Sequence, residues 1–233
     1  MHFKLLNFTI VPYKEMLELQ HRIVQHKIHN QNFYDILMIL EHKPVYTTGK
    51  HANFKNLKIT HNILKANNIE LINSDRGGDI TYHSPGQLTL YCIIDLKNLQ
   101  KSLKNFVLLL EDIIIETLKI FNIESYKLTN LHGVFTNKGK IASIGLACKK
   151  SIVYHGISLN VNNDLTPFSW INPCGLKDIK MTNIKSIIEN DINIVDVKNA
   201  LLNALTDKYK WEIKEFNYNK LEAIIGNDKT ILA

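Results

Sequence analysis

The chain has 233 residues and a net charge of +6, and 45% of its residues are hydrophobic and 21% charged; this composition is typical of a globular enzyme and excludes disordered and fibrous classes. No apolar run is long enough to span a bilayer, and residues 1–7 lack the charged head, apolar core and cleavage site of a signal peptide. We therefore expect a protein of the cytoplasm or an organelle matrix, with no membrane partner.

Hydrophobic periodicity predicts strands and helices in an irregular order along the chain. Residues 75–87 and 164–175, which are rich in Gly, Pro, Asp and His, are predicted to be irregular. Strands are predicted at 1–10, 34–40, 45–48, 69–72, 88–96, 133–136, 140–148 and 152–161. Helices are predicted at 12–29, 60–67, 103–121, 182–189 and 194–209.

These elements predict the fold class. Strands outnumber helices in the middle of the chain, and the turn at 137–139 joins two of them as a hairpin. We expect an α/β (α+β) fold with a mixed, largely antiparallel sheet flanked by helices. Regular βαβ alternation and a phosphate-binding glycine loop are both missing. With no linker visible, residues 1–233 are interpreted as a single catalytic domain.

Three cysteines are candidates for chemistry, and their odd number argues against a disulfide framework. Cys92 and Cys148 stand in apolar strand runs, where a cysteine is usually a small core residue. Cys174 differs because it lies between Pro173 and Gly175 in a stretch that cannot pair as a regular strand. Its setting alone leaves open a nucleophile or a plain buried residue.

A cysteine nucleophile acts as a thiolate and needs a base or cation nearby. Four residues could supply it: Lys140, His83, His155 and Lys177. Lys140 follows the hairpin turn, where a lysine is more often solvated. The two histidines stand beside glycines, His83 in a polar loop and His155 inside a strand; such places often form binding sites.

Four sequence blocks, taken in order and with their spacing, resemble one enzyme family. They are residues 41–49 (EHKPVYTTG), 76–88 (RGGDITYHSPGQL), 140–145 (KIASIG) and 155–161 (HGISLNV), the last continuing through Phe168 to 173–175 (PCG). The chain resembles the lipoate-biosynthetic octanoyltransferases, also called lipoyl(octanoyl) transferases. Ser84 is a departure, because the family usually has glycine there.

The resemblance implies a fold and a reaction. The fold would be that of lipoate and biotin protein ligase catalytic domains. The reaction would transfer octanoyl from octanoyl-acyl carrier protein to a lysine of lipoyl domains, in the E2 subunits of 2-oxo acid dehydrogenase complexes and in the glycine cleavage H protein. Cys174 would carry the acyl group as a thioester, and Lys140 would lower the pKa of that thiol and act as acid and base. Neither ATP nor a metal would be required.

The resemblance also implies a substrate site built from three segments, which are a polar loop and parts of two strands. We expect the glycines among them to leave space for an apolar acyl tunnel. The predicted substrate-binding residues are Arg76, Gly77, Gly78, Asp79, Ile80, Thr81, Tyr82, His83, Ser143, Ile144, Gly145, Gly156, Ile157 and Ser158.

Positive charge makes nucleic acid the first macromolecular partner to consider. However, the only arginines are Arg22 and Arg76, and the lysines are spread along the chain, whereas phosphate and base contacts favour clustered arginine. We therefore expect no nucleic-acid partner, some steering of an acidic protein partner, and a monomer. An ATP-dependent lipoate-protein ligase of the same fold and a non-catalytic module that binds lipoyl domains or nucleic acid are the alternatives.

Overall fold

A computed structural model describes residues 1–172 and 179–226. Within this part the chain forms eleven strands and six α-helices. The strands are β1 (His2–Val11), β2 (Asp35–His42), β3 (Val45–Thr48), β4 (Glu70–Asn73), β5 (Ile80–His83), β6 (Gln87–Asp95), β7 (Tyr126–Leu128), β8 (Leu131–Thr136), β9 (Gly139–Lys149), β10 (Ile152–Asn160) and β11 (Glu212–Glu215). The helices are α1 (Tyr13–His29), α2 (His61–Ala66), α3 (Leu103–Lys119), α4 (Ile184–Ile188), α5 (Ile194–Asn203) and α6 (Tyr218–Ile225).

Eight strands form one large sheet in the order β11-β1-β2-β6-β10-β9-β8-β7. The pairs β11–β1 and β1–β2 are parallel, and every following pair is antiparallel. A smaller sheet has the order β4-β3-β5. The predicted mixed, largely antiparallel sheet with flanking helices is confirmed.

The two faces of the large sheet carry different helices. On one face, Leu90 and Cys92 of β6 join the core cluster that contains α3. On the other, Tyr91 and Ile93 of the same strand join the cluster that contains α1. This separation follows from strand geometry, because successive side chains point to opposite faces. We call the second side the cleft face, since the pocket described below opens on it.

Local signals explain where several elements begin. Helix α3 begins after Ser102, whose Oγ accepts a hydrogen bond from the backbone N–H of Asn105 at 3.2 Å, so the predicted N-cap is confirmed. Helix α1 follows Pro12 as predicted. None of the helices formed by the described residues is long and apolar enough to cross a membrane.

Some predictions were wrong in detail. The stretch 75–87 is not wholly irregular, because Ile80–His83 pairs with β3. The helix predicted at 194–209 is α-helical only to Asn203 and then continues as a π-helical turn. Cys148 was predicted to be a core residue but is exposed, because it lies near the end of β9. Cys92 is fully buried, as expected.

Candidate active site

A narrow cleft opens on the cleft face of the large sheet, between that sheet, the start of α1 and the 76–83 segment. The space between its atoms, including the mouth open to solvent, is about 590 Å³. It is lined by Tyr13, Arg76, Gly78, Asp79, Ile80, Thr81, His83, Thr89, Tyr91, Lys140, Ser143, Ile144, Gly145, His155, Gly156, Ile157 and Ser158.

Strand register arranges part of this lining in two rows across β6, β10 and β9. One row consists of Thr89, Ser158 and Ser143, which are direct partners across the three strands. The next row, two residues further along each strand, consists of Tyr91, Gly156 and Gly145. Tyr91 is thus the only residue of the second row that contributes a side chain to the cleft.

Lys140 lies near one end of the cleft, close to the start of β9, and is almost fully buried. Its Nζ donates a hydrogen bond to the carbonyl oxygen of His132 at 2.8 Å and lies 5.5 Å from the centre of the Phe135 ring. Its backbone N–H donates to the carbonyl of Lys180, and its own carbonyl accepts from the N–H of Thr182. The ammonium is therefore held by β8, and the backbone of Lys140 by residues 180 and 182.

Gly133 makes this position of Lys140 possible. It has a φ of +123°, which strongly favours glycine, and a Cβ there would lie 2.6 Å from Lys140 Cε. Its N–H donates a hydrogen bond of 2.9 Å to the buried carboxylate of Glu111 in α3. A side chain at Gly133 would force the lysine out of its position.

Arg76 acts as a clamp for the loop that forms one side of the cleft. Its guanidinium donates hydrogen bonds to the carbonyl oxygens of Thr47, Gly77 and Asp79 at 2.6, 3.0 and 2.7 Å, and Nε donates to the Thr47 hydroxyl at 3.1 Å. These bonds help to satisfy backbone carbonyls in the wall of the cleft. The loop is thereby tied to β3.

Asp79 fixes the same loop from the other side. One carboxylate oxygen accepts hydrogen bonds from the backbone N–H groups of Asn53 and Ile80, at 3.1 and 2.7 Å. The second accepts from the side-chain amide of Asn56. The carbonyl of Asn56 in turn accepts from the N–H of Asn172 at 2.8 Å. Asp79 thus connects the cleft to the last described residue before position 173.

His155 lies at the other end of the cleft in an unusual backbone conformation. It pairs with Leu146, which faces α3, so alternation alone would point its ring toward α3. Its φ is +62°, a left-handed value that costs a non-glycine residue about 1–2 kcal/mol. The ring is therefore turned to the cleft face, where it stacks on Tyr154 with centroids 4.9 Å apart.

Asp75 holds the His155 ring in that orientation. Oδ1 lies 2.8 Å from His155 Nε2, and Oδ2 accepts a hydrogen bond from the Tyr154 hydroxyl. Burial alone would raise the pKa of the Asp75 carboxyl, but the hydrogen bonds from His155 and Tyr154 together lower it far below its usual value. Asp75 is thus ionised, so His155 Nε2 carries the proton and its buried Nδ1, which has no partner among the described residues, is an acceptor.

Two further histidines are neutral, and of these His83 lines the cleft while His42 packs beside it. His42 Nδ1 donates to the carbonyl of Val11 at 3.0 Å, and Nε2 accepts from the Tyr91 hydroxyl at 2.6 Å. Burial lowers the pKa of His42 to about 4. Burial and the neighbouring His42 likewise lower the pKa of His83 well below its usual value. Both rings are structural hydrogen-bonding groups near neutral pH.

The comparisons with known proteins decide the family. The family described as "Lipoyl protein ligase A/B catalytic domain" matches residues 12–206. The chain belongs to this family. Within it, an octanoyltransferase of Buchnera aphidicola subsp. Schizaphis graminum is 39% identical over 82% of this chain and 88% of its own length. An octanoyltransferase of Dictyoglomus thermophilum is 39% identical over 92% of this chain and 90% of its own.

Solved structures of lipoate and biotin ligases share the fold of this lipoyl ligase family member. A lipoate-protein ligase A bound with ATP superposes with a TM-score of 0.76 at 18% identity, covering 97% of this chain and 93% of that chain. The biotin protein ligase of Aquifex aeolicus, in complex with biotin and ATP, gives 0.54 at 16% identity, covering 89% and 70%. The predicted fold resemblance to both ligase types is confirmed.

The structure brings most of the predicted site residues of this family member into one cleft. Twelve of the fourteen predicted substrate-binding residues line it, with Lys140, while Gly77 and Tyr82 do not. Cys174 and Lys177 lie outside the described residues. The sequence analysis did not identify Tyr13, Thr89 and Tyr91, because an aromatic or hydroxyl side chain in an apolar strand or helix carries no signal that it faces a cleft.

The expectation that glycines leave room for an acyl chain was wrong at two positions. The Cβ that Gly145 lacks would lie 3.0 Å from Arg76 Cδ, and the one that Gly156 lacks would lie 1.9 Å from the carbonyl oxygen of Leu90. These glycines therefore allow the loop and the strands to approach each other. Ser84, at the position where the octanoyltransferases usually have glycine, is buried.

Proposed function

We propose that the protein is an octanoyltransferase, which moves an octanoyl group from octanoyl-acyl carrier protein to a lysine of a lipoyl domain through a thioester on Cys174. The observation that carries the proposal is the buried Lys140 in a cleft of a chain about 40% identical to octanoyltransferases. The E2 subunits of 2-oxo acid dehydrogenase complexes and the glycine cleavage H protein are the proposed acceptors.

Chain connectivity supports Cys174 as the nucleophile. Asn172, two residues before it in the sequence, is the last described residue on that side. Asn172 is joined through Asn56 to Asp79 of the cleft. On the other side, Lys180 pairs with the backbone of Lys140 itself. The described residues that precede and follow the cysteine in sequence are thus both bonded to residues of the cleft.

The proposed reaction has two balanced steps. In the first, the Cys174 thiolate attacks the thioester carbonyl of the donor, a new carbon–sulfur bond forms, and the carrier thiol leaves with a proton that Lys140 supplies. In the second, the acceptor amine attacks the octanoyl-enzyme, the carbon–nitrogen bond forms, and Cys174 leaves as a thiolate while Lys140 accepts the amine proton. The amide is more stable than the thioester, which drives the transfer.

Lys140 suits this role because of its surroundings. A buried ammonium beside a thiol favours the thiolate, since opposite charges attract more strongly where water is excluded. The hydrogen bond to the carbonyl of His132 keeps the ammonium in position.

The cleft also supports an acyl substrate and protein partners. Burying an octanoyl tail contributes about 5 kcal/mol, at roughly 0.8 kcal/mol per methylene. The net charge of +6 favours the encounter with an acidic carrier protein. We also propose that the protein is a monomer with a single catalytic domain over residues 1–233.

The test is intact mass spectrometry after incubation with octanoyl-acyl carrier protein. We expect one octanoyl adduct on the wild type, none on Cys174→Ala, and at least a hundredfold slower loading of Lys140→Ala near neutral pH, because a positioned acid–base group contributes about 10²–10⁴-fold. Lys138→Ala is the matched control. Its ammonium lies on the same hairpin, but it is exposed and bonds to the carbonyl of Ser186, so loading should stay normal.

Two results would contradict the proposal. An adduct that persists in Cys174→Ala would place the nucleophile elsewhere, and normal loading of Lys140→Ala would remove the lysine from the mechanism. A separate incubation contains octanoate, ATP and a lipoyl domain but no carrier protein. If the lipoyl domain is modified in this incubation and not with octanoyl-acyl carrier protein, the protein is a ligase.

A further inference from the structure

The cleft has a direction that the strand register defines. Lys140 is near the start of β9, the Ser143 row follows three residues later, and the Gly145 row follows after two more. At about 3.3 Å per residue, the two rows are roughly 7 Å apart. His155, paired with Leu146, lies one register position beyond the second row. The cleft therefore runs from Lys140 past the hydroxyl row toward Tyr91 and His155.

This distance is close to the length of an eight-carbon chain. Each bond of an extended hydrocarbon chain covers about 1.3 Å, so the seven carbon–carbon bonds of an octanoyl group cover about 9 Å. An acyl carbonyl level with Ser143, within reach of Lys140, would place the terminal methyl group level with Tyr91 and His155. Ten- and twelve-carbon chains would extend about 2.5 and 5 Å further.

Side chains at this end are anchored from behind, which makes them hard to displace. The Tyr91 hydroxyl is bonded to His42, and the His155 ring is bonded to Asp75. The backbone N–H of His155 donates to Gln20 of α1 at 2.8 Å. Moving either ring would break a buried hydrogen bond, which costs more than the same bond at the surface.

The His155 ring is also enclosed at its other nitrogen. His155 Nδ1 is a buried acceptor without a partner among the described residues. A longer tail would therefore meet a ring that is packed on all sides, and it would have to displace that ring to pass. The left-handed backbone at His155 is what turns the ring to this position, since the regular strand would place it on the other face.

We propose that Tyr91 and His155 form the end wall of the acyl site and limit the chain that it accepts to about eight carbons. The inference rests on the proposed octanoyltransferase function, because that function places the acyl carbonyl at the Lys140 end. The end wall is a specificity determinant and takes no part in the bond-making steps.

The test compares acyl loading from hexanoyl, octanoyl, decanoyl and dodecanoyl carrier-protein thioesters. Tyr91→Val shortens one side chain of the end wall, and His155→Gly removes the other while tolerating the positive φ. We expect each variant to raise the decanoyl-to-octanoyl ratio of kcat/KM at least about tenfold over the wild type, since a methylene that fits or clashes changes discrimination by that order. Tyr91→Phe, which keeps the ring but loses the bond to His42, should raise this ratio less than Tyr91→Val.

Circular dichroism checks that Tyr91→Val and His155→Gly are folded. An unchanged decanoyl-to-octanoyl ratio in both folded variants would overturn the end wall. If Tyr91→Val does not fold, His155→Gly decides. A second measurement, calorimetric binding of octanoate and dodecanoate, needs neither thioester nor transfer. If the wild type loads no acyl group at all, the transferase proposal fails, and the fatty-acid binding data then test the end wall. Dodecanoate binding that is at least tenfold tighter in a variant than in the wild type supports the end wall, and equal affinity overturns it.

Discussion

The two faces of β6, β10 and β9 differ in what their side chains do. The face toward α3 carries Leu90, Leu159 and Leu146, which belong to one continuous apolar core. The cleft face carries the Thr89–Ser158–Ser143 row and the Tyr91–Gly156–Gly145 row. The same three strands thus stabilise the fold mainly with one set of alternate residues and line the site mainly with the other, while Ile144 and Ile157 take part in both.

This arrangement separates stability from specificity residue by residue. Burial of aliphatic side chains on the α3 face contributes free energy that hardly depends on pH. The cleft face instead buries polar and titratable groups, which cost stability unless they are paired and which respond to pH. Neighbouring substitutions on one strand should therefore have very different effects.

The largest effect is expected from Leu90→Ala on the α3 face. Leu90 is almost fully buried, so the substitution should lower the free energy of unfolding by about 2–5 kcal/mol through lost burial and a cavity. Urea denaturation measures this. Acyl loading per folded molecule should stay near the wild-type rate. A folded variant that has lost loading would show that the two faces are not independent.

An intermediate effect is expected from pH acting on the cleft face. Burial lowers the pKa of His42 to about 4 in the folded protein, against about 6.5 in the unfolded chain. Between pH 6.5 and 4 the unfolded state therefore binds one more proton at this site. Stability should fall as pH falls through that window, by up to about 1.4 kcal/mol per pH unit.

The control for this prediction is His42→Gln, which removes the titrating ring. The free energy of unfolding of this variant, measured by urea denaturation from pH 7 to 4, should depend less steeply on pH than that of the wild type. His83, whose pKa is lowered too, should leave a remaining slope of the same sign. Equal slopes in both proteins would mean that His42 is not buried as a neutral ring.

The smallest effect is expected from Thr89→Val, one residue from Leu90 on the cleft face. The Thr89 hydroxyl is buried and has no partner among the described residues, so its removal should leave the free energy of unfolding unchanged or raise it by up to about 1 kcal/mol. Thr117→Val in α3 is the matched control. Its hydroxyl donates to the carbonyl of Ile113 at 2.8 Å, and its loss should cost about 1 kcal/mol.

Much of the fold could be predicted from periodicity, but short elements could not. The long, regular patterns of α1, α3, β6 and β10 gave elements close to the observed ones. Strands β7 and β11 have only three and four residues, too few to establish a period. Their positions depend on the neighbouring strands that they pair with, β8 and β1.

The sequence by itself determined the family resemblance, because the four blocks stand in a specific order and at specific spacings. That resemblance implies Lys140 as the acid–base group and Cys174 as the nucleophile. Only the tertiary structure decided that Tyr91 and Thr89 face the cleft and that His155 turns toward it. In a strand that is buried on both faces, alternation does not tell which residues face the core and which face the cleft, and a single positive φ turns a side chain to the face opposite the one that alternation predicts. The orientations of Tyr91 and His155 depend on contacts with Asp75, His42 and α1, which are far away in sequence.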